Sequence, residues 1–312
     1  MSRIHEALRK AVQENSEVSK PRVSKVETLS GLFEDAPPSG TAVEEPVEFN
    51  DLDLDGFGQL IRSAREISFD PPADALLVHP AKPREAPSEE FRTLRTRLNH
   101  LQTAQSLRTL VITSASPAEG KSFTAANLAI TQAQLAGKRV LLADFDFRRP
   151  NIHKAFHIEC SPGITDYLAG QVGLGDILQK VAGLNLYLMT AGDAVPNPLE
   201  LLNLRECKNL IDQVRDHFDW VILDSPPLLF AADANLLASM CDGTILVVRI
   251  GTTTFDSVSR AVPSLSENNV LGVVVNGARR GELYNKYAYE YGYNSDKEPE
   301  VATPSSEGTF WV

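Results

Sequence analysis

From residue 108 onward the chain alternates short, nearly unbroken apolar runs with longer stretches in which apolar positions recur every three to four residues. The runs are RTLVITSA (108–115), KRVLLADFD (138–146), LNLYLMTAG (184–192), DWVILDSPP (219–227), GTILVVRIG (243–251) and VLGVVVNGA (270–278). Runs without in–out alternation fit strands buried on both faces. Between most of them, residues 121–136, 199–217, 232–242 and 256–268 carry helical spacing. A further helix is predicted over SEEFRTLRTRLNHLQ, with Ser88 as its N-cap. Alternating strands and helices of this kind predict a doubly wound, mostly parallel α/β sheet. Right-handed crossovers then put the active site at the C-terminal ends of the strands.

The two ends read differently. Ile4, Ala7, Leu8, Ala11 and Val12 make an apolar stripe among Arg3, Arg9 and Lys10 over residues 1–14. It fits a frayed terminal helix or a docking helix equally well. Residues 15–80 are polar, acidic and rich in proline, glycine and serine, which predicts a disordered linker. The folded domain is expected over 81–283, and a tyrosine cluster with a flexible tail over 284–312. The closing TFWV fits a loose end or a docked one.

Composition narrows the function. The chain has 312 residues, 43% of them apolar, and a formal charge of -11. That charge argues against a nucleic-acid partner. Cys160, Cys207 and Cys241 show neither zinc spacing nor a disulfide framework, as expected of a reducing cytoplasm. No apolar run reaches the ~20 residues a membrane span needs, so any membrane association is expected to run through a partner.

The chemistry concentrates at strand ends. After the first run, Pro117, Ala118, Glu119, Gly120, Lys121, Ser122 and Phe123 lead into a helix, the strand–loop–helix setting of a P-loop. Backbone N–H groups there would face phosphates, Lys121 would hold the β and γ phosphates of ATP, and the Ser122 hydroxyl would ligate Mg²⁺. The glycine usual six residues before the lysine is Ala115 here. Asp144 and Asp146 lie two apart on one strand face, and Asp224 ends another apolar strand in the manner of a Walker B segment. Asn276, after the last strand, fits an adenine contact or a strand-end turn.

Near the other end, Tyr284, Tyr287, Tyr289, Tyr291 and Tyr293 crowd a charged, glycine-containing stretch that cannot bury them. Together with LLADFDFR (141–148), a hydrophobic-Asp-x-Asp-x-Arg motif, the P-loop and this cluster resemble the bacterial tyrosine kinases of capsule and exopolysaccharide systems, over roughly residues 85–293. The resemblance implies that the tyrosines are the kinase's own substrates. It also implies that Lys121, Asp144, Asp146 and Arg148 serve phosphoryl transfer, with Asp144 taking the phenol proton, and that Ser122, Asp146 and Asp224 hold Mg²⁺. Glu89, Arg92 and Arg95 match the family's Glu-x-x-Arg-x-x-Arg helix and imply a homo-oligomeric ring. SRIHEAL before a long linker resembles the single-domain members, implying a separate membrane chain-length partner and, for the cycle, a tyrosine phosphatase.

Two other readings compete. A partition or septum-positioning ATPase would carry a signature lysine at position 116, where this chain has serine, and would lack the tyrosine cluster. A nucleotide-switched adaptor without enzymatic activity would use the aromatic tail for binding.

Overall fold

The computed structural model describes residues 54–71, 75, 77–78, 88–265, 270–279 and 307–311. Residues 1–14 and the tyrosine cluster lie outside them. All six apolar runs are strands: β2 (Thr109–Ser114), β3 (Val140–Asp144), β5 (Leu186–Met189), β6 (Trp220–Asp224), β7 (Gly243–Arg249) and β8 (Val270–Arg279). They stand in the order β5-β3-β6-β2-β7-β8, with every neighbouring pair parallel. β1 (Arg65–Ile67) and β4 (Gln179–Val181) extend one edge, where β4 runs antiparallel to β5. β9 (Glu307–Trp311) runs antiparallel to β8 at the other edge.

Alternation along each strand divides the core in two. Leu110 and Ile112 of β2, with Trp220 and Ile222 of β6, face α2 (Ser88–Ala104) and α3 (Lys121–Ala133). α2 contributes Phe91, Leu94 and Leu98, the three-to-four spacing of its apolar stripe. Val111, Val221 and Leu223 face the opposite way, against Leu210, Ile211 and Val214 of α8 (Arg205–His217). Each large side chain buried this way contributes roughly 2 kcal/mol.

The helices on 199–217 and 256–268 are each interrupted. Leu204 is extended between α7 (Pro198–Asn203) and α8, although no glycine or proline marks the break. α10 (Phe255–Ala261) tightens into a 3-10 turn over Val262–Leu265. α9 (Asp233–Met240) lies within the 232–242 stretch. Short helices α4 (Ile152–Phe156), α5 (Ile164–Leu168) and α6 (Leu174–Ile177) fill the segment between β3 and β4.

Two expectations are corrected. The composition assigned 15–80 to linker, yet 54–67 forms α1 (Leu54–Ser63) and β1. Phe57 is fully buried, stacked on His217 with ring centroids 4.2 Å apart and edge-on to Phe218. Val78 is also buried, its N–H donating to Asn127 Oδ1 at 2.7 Å. Phe57 finds a prepared surface at the end of α8 and Val78 another beside α3, and local composition does not register that. Likewise, residues 307–311 fall in the expected flexible tail, but their backbone pairs with β8.

Candidate active site

β2 delivers the chain into the loop 115–120, and α3 starts at Lys121. Two residues in the loop take left-handed backbone: Ala118 at φ 63° and Gly120 at φ 96°. Only glycine suits position 120, because a Cβ there would fall 1.9 Å from Asn276 Nδ2. The loop is tied down from the neighbouring strand ends. The Ser116 N–H donates to Glu119 Oε2 at 2.9 Å, and the Thr253 hydroxyl donates to Glu119 Oε1. Thr253 Oγ1 in turn accepts the Arg249 N–H at 2.7 Å. Asn276 Nδ2 donates to the Glu119 carbonyl at 3.1 Å. Glu119 is therefore a clamp on the loop, and Asn276, buried, braces the loop's backbone.

The ends of β3 and β6 bring the acidic residues to Lys121. Lys121 Nζ lies 2.9 Å from Asp146 Oδ2, and both side chains are almost fully buried. Asp144 and Asp224 are paired in register and completely buried. Asp144 accepts three backbone N–H groups, from Asp146 (3.1 Å), Asn151 (3.0 Å) and Ile152 (3.0 Å). It thereby fastens the 145–151 loop and the start of α4 to β3. Arg148 forms a two-pronged pair with Asp233 at the start of α9, at 2.7 and 3.2 Å. Its guanidinium is thus held by Asp233, with the Asp146 charge adding to the attraction.

Three carboxylates around one ammonium leave excess negative charge in a dry site. Burial pushes Asp144 up to about 8, with Asp224 adding to the effect and the Ile152 and Asp146 N–H groups opposing it. Burial also raises Asp224, to about 6, against the pull of Lys121 and Ser122. For Lys121, burial works to lower the pKa, but Asp224, Asp146 and Asp144 outweigh it and hold it above the ordinary lysine value.

Orphaned polar atoms mark what the site is built for. Neither oxygen of Asp224 meets a donor in hydrogen-bonding geometry, although the Ser122 hydroxyl and Ser225 N–H lie near enough to favour its charged form. The buried Thr124 hydroxyl, in the first turn of α3, also lacks a partner. Buried unpaired carboxylate oxygens fit a cation that arrives with its ligand. Among the described residues no group of three or more His, Cys, Asp and Glu side chains is arranged as a complete metal cage. Mg²⁺ does not require one, because it keeps waters and phosphate oxygens. A cavity of about 270 Å³ opens beside Gly120, Lys121, Ser122 and Phe123. A second, of about 530 Å³, is lined by Arg148, Arg149, His153 and Lys154 and shares Asn151 with the first. A polar cavity of about 440 Å³ around Arg108, Lys138 and Asp219 lies at the opposite ends of the strands, away from this chemistry.

Among the sequence-derived residues, the structure brings together Gly120, Lys121, Ser122, Asp144, Asp146, Asp224, Glu119 and Asn276. Glu89, Arg92 and Arg95 lie apart on α2. Glu89 and Arg92 pair with each other on the surface, whereas Arg95 donates to the Thr131 carbonyl of α3 at 3.0 Å. Thr253, Asp233 and Thr124 were missed. Only Thr124 had a sequence signal, a second hydroxyl two residues after Ser122.

Comparison with known proteins agrees with this geometry. A family described as an AAA domain matches residues 108–267. The tyrosine-protein kinase YwqD of Bacillus subtilis is 37% identical over 219 residues, covering 70% of this chain and 90% of the relative. The tyrosine-protein kinase Etk of Escherichia coli is 34% identical over 197 residues, 62% of this chain, and the match spans 27% of that longer protein. The solved kinase domain of Etk superposes with a TM-score of 0.63 at 32% identity, covering 73% of this chain and 88% of that domain. Among the described residues no helix is long and apolar enough to cross a membrane. Kinship of this extent places the chain in the bacterial tyrosine-protein kinase family.

Proposed function

We propose that this protein is a tyrosine autokinase that transfers the γ-phosphoryl of ATP to Tyr284, Tyr287, Tyr289, Tyr291 and Tyr293. The observation that carries this reading is the buried Lys121–Asp146 pair beside the unpartnered Asp224 carboxylate, at the start of a P-loop helix. Phosphoryl transfer is mainly positioning and charge stabilisation. The backbone of 117–123 cradles the phosphates, and Lys121 exchanges Asp146 for them. Ser122, Asp146 and Asp224 would hold Mg²⁺, which neutralises phosphate charge when bound. Asp144, raised toward neutrality, is suited to take the phenol proton, since an efficient base titrates near working pH. Glu119 and Arg148 position the two loops.

The acceptor enters from the cavity lined by Arg149, Asn151 and Lys154, which adjoins the P-loop cavity at Asn151. Around this chemistry we place a ring assembled through the exposed Glu89–Arg92 surface, a membrane chain-length partner met by residues 1–14, and a phosphatase that resets the cycle. In this reading the protein works in the cytoplasm, at the inner face of the membrane, in exopolysaccharide production.

Purified protein incubated with γ-labelled ATP and Mg²⁺ tests the reading. Acid-stable label on tyrosine, lost in Lys121→Met, supports it. Released phosphate without protein label would instead indicate an ATPase, and neither product an adaptor.

A further inference from the structure

The C-terminal strand lies on the edge of the sheet nearest the P-loop, and its register shows what it does there. β9 pairs with β8 at Val274↔Trp311 and Val275↔Phe310, then at Ala278↔Gly308 and Arg279↔Glu307. Between these pairs, Asn276 and Gly277 of β8 stand opposite the single position 309. Two residues facing one is a β-bulge, the device that re-aims a side chain beside an active site. Gly277 takes left-handed backbone within it, at φ 76°. The re-aimed residue is Asn276. Its Nδ2 reaches the Glu119 carbonyl at 3.1 Å, and its Oδ1 accepts the Gly277 N–H at 2.8 Å. The opposite edge of β8 is held by β7, where Arg249 pairs with Asn276 and the Ile250 N–H donates to the Asn276 carbonyl at 2.9 Å.

We infer that docking of residues 307–311 onto β8 sets the bulge that presents Asn276 to the P-loop, so that the C-terminal strand and the nucleotide are coupled ligands of one loop. The partner of the β8 edge is thus this chain's own terminal strand, and Asn276 is a positioning residue between the two. The inference rests on the nucleotide reading of the P-loop given above. Coupling is reciprocal, since whatever the strand does for nucleotide affinity the nucleotide does for strand docking. Arg279 and Glu307 are register partners.

The full chain, a variant ending at residue 306, Asn276→Ala and their combination are compared for binding of a fluorescent ADP with Mg²⁺. Removal of the strand should weaken binding about fivefold, the loss expected for one hydrogen bond. Asn276→Ala should weaken it equally, and the combination no further. Hydrogen exchange on the full chain supplies the converse: ADP should slow exchange at 307–311 in the wild type and not in Asn276→Ala, which keeps the test decisive even if the shortened chain folds poorly. Unchanged affinity in the shortened chain, additive losses in the combination, or exchange at 307–311 indifferent to ADP would each overturn the coupling while leaving the nucleotide site standing. A wild type that binds no ADP would overturn the site reading and the inference together.

Discussion

Replacing Asp224 by asparagine should stabilise the nucleotide-free protein at neutral pH while removing its response to Mg²⁺. Asp224 is completely buried, and its pKa rises from 3.8 to about 6. That shift of about 2 units corresponds to about 3 kcal/mol, at ~1.4 kcal/mol per unit. The native carboxyl binds its proton more tightly than the unfolded one. Its contribution is therefore present in full below about pH 4 and is lost as pH rises through about 6. The wild type accordingly carries the whole cost of ionisation at about pH 7.5. Asparagine has no charge to bury, but its amide inherits a site where neither oxygen meets a donor in hydrogen-bonding geometry, at a cost of about 1–2 kcal/mol. The net gain is about 1–2 kcal/mol, or roughly 2–8 °C in Tm for a domain of this size. Thermal and urea unfolding at about pH 5 and about pH 7.5 reads it directly. Wild type should lose stability across that interval, and the variant should lose less, the remaining slope coming from Asp144. ADP with Mg²⁺ should raise the wild-type Tm well beyond ADP alone, and the two should act alike on the variant. A variant less stable than wild type at the higher pH, with an unchanged pH slope, would refute the reasoning.

Other substitutions test separate parts of the account. Lys121→Met should abolish labelling and also destabilise the fold by about 3 kcal/mol in urea, because Asp146 is left buried without its partner; adding Asp146→Asn should return most of the stability and none of the activity. Gly120→Ala should raise the Kd for ADP more than tenfold, since its Cβ collides with Asn276 and its backbone is strained at φ 96°; Asn276→Ala in the same chain should relieve only the collision. Phe57→Ala should cost about 3–4 kcal/mol, read as a lower urea midpoint, if 54–67 belongs to the folded domain; an unshifted midpoint would return that segment to the linker.

The parallel core was legible because its strands are apolar on both faces and the strand ends carry their own chemistry. Lys121, Asp144, Asp146 and Asp224 could be placed together from strand-end position alone, since β3 and β6 adjoin in register at Asp144 and Asp224. What escaped the sequence depends on contacts between distant segments. α1 owes its place to Phe57 meeting His217 and Phe218 across some 160 residues of chain. Thr253 becomes a loop clamp only because β7 ends beside the P-loop. The pairing of 307–311 required a free edge on β8, and the closing TFWV, which fits a loose or a docked end, announces neither the edge nor the register. Arg148 likewise meets Asp233, on a helix 85 residues further along, a contact its motif position does not announce.

The central claim is that this P-loop site phosphorylates the chain's own tyrosine cluster, and a residue-level mass map of the purified protein after incubation with ATP and Mg²⁺ addresses it most directly. The account predicts phosphate on Tyr284, Tyr287, Tyr289, Tyr291 and Tyr293, absent from Tyr167 and the buried Tyr187, and absent throughout in Asp144→Asn. ATP consumed with every tyrosine of residues 284–293 unmodified would contradict it.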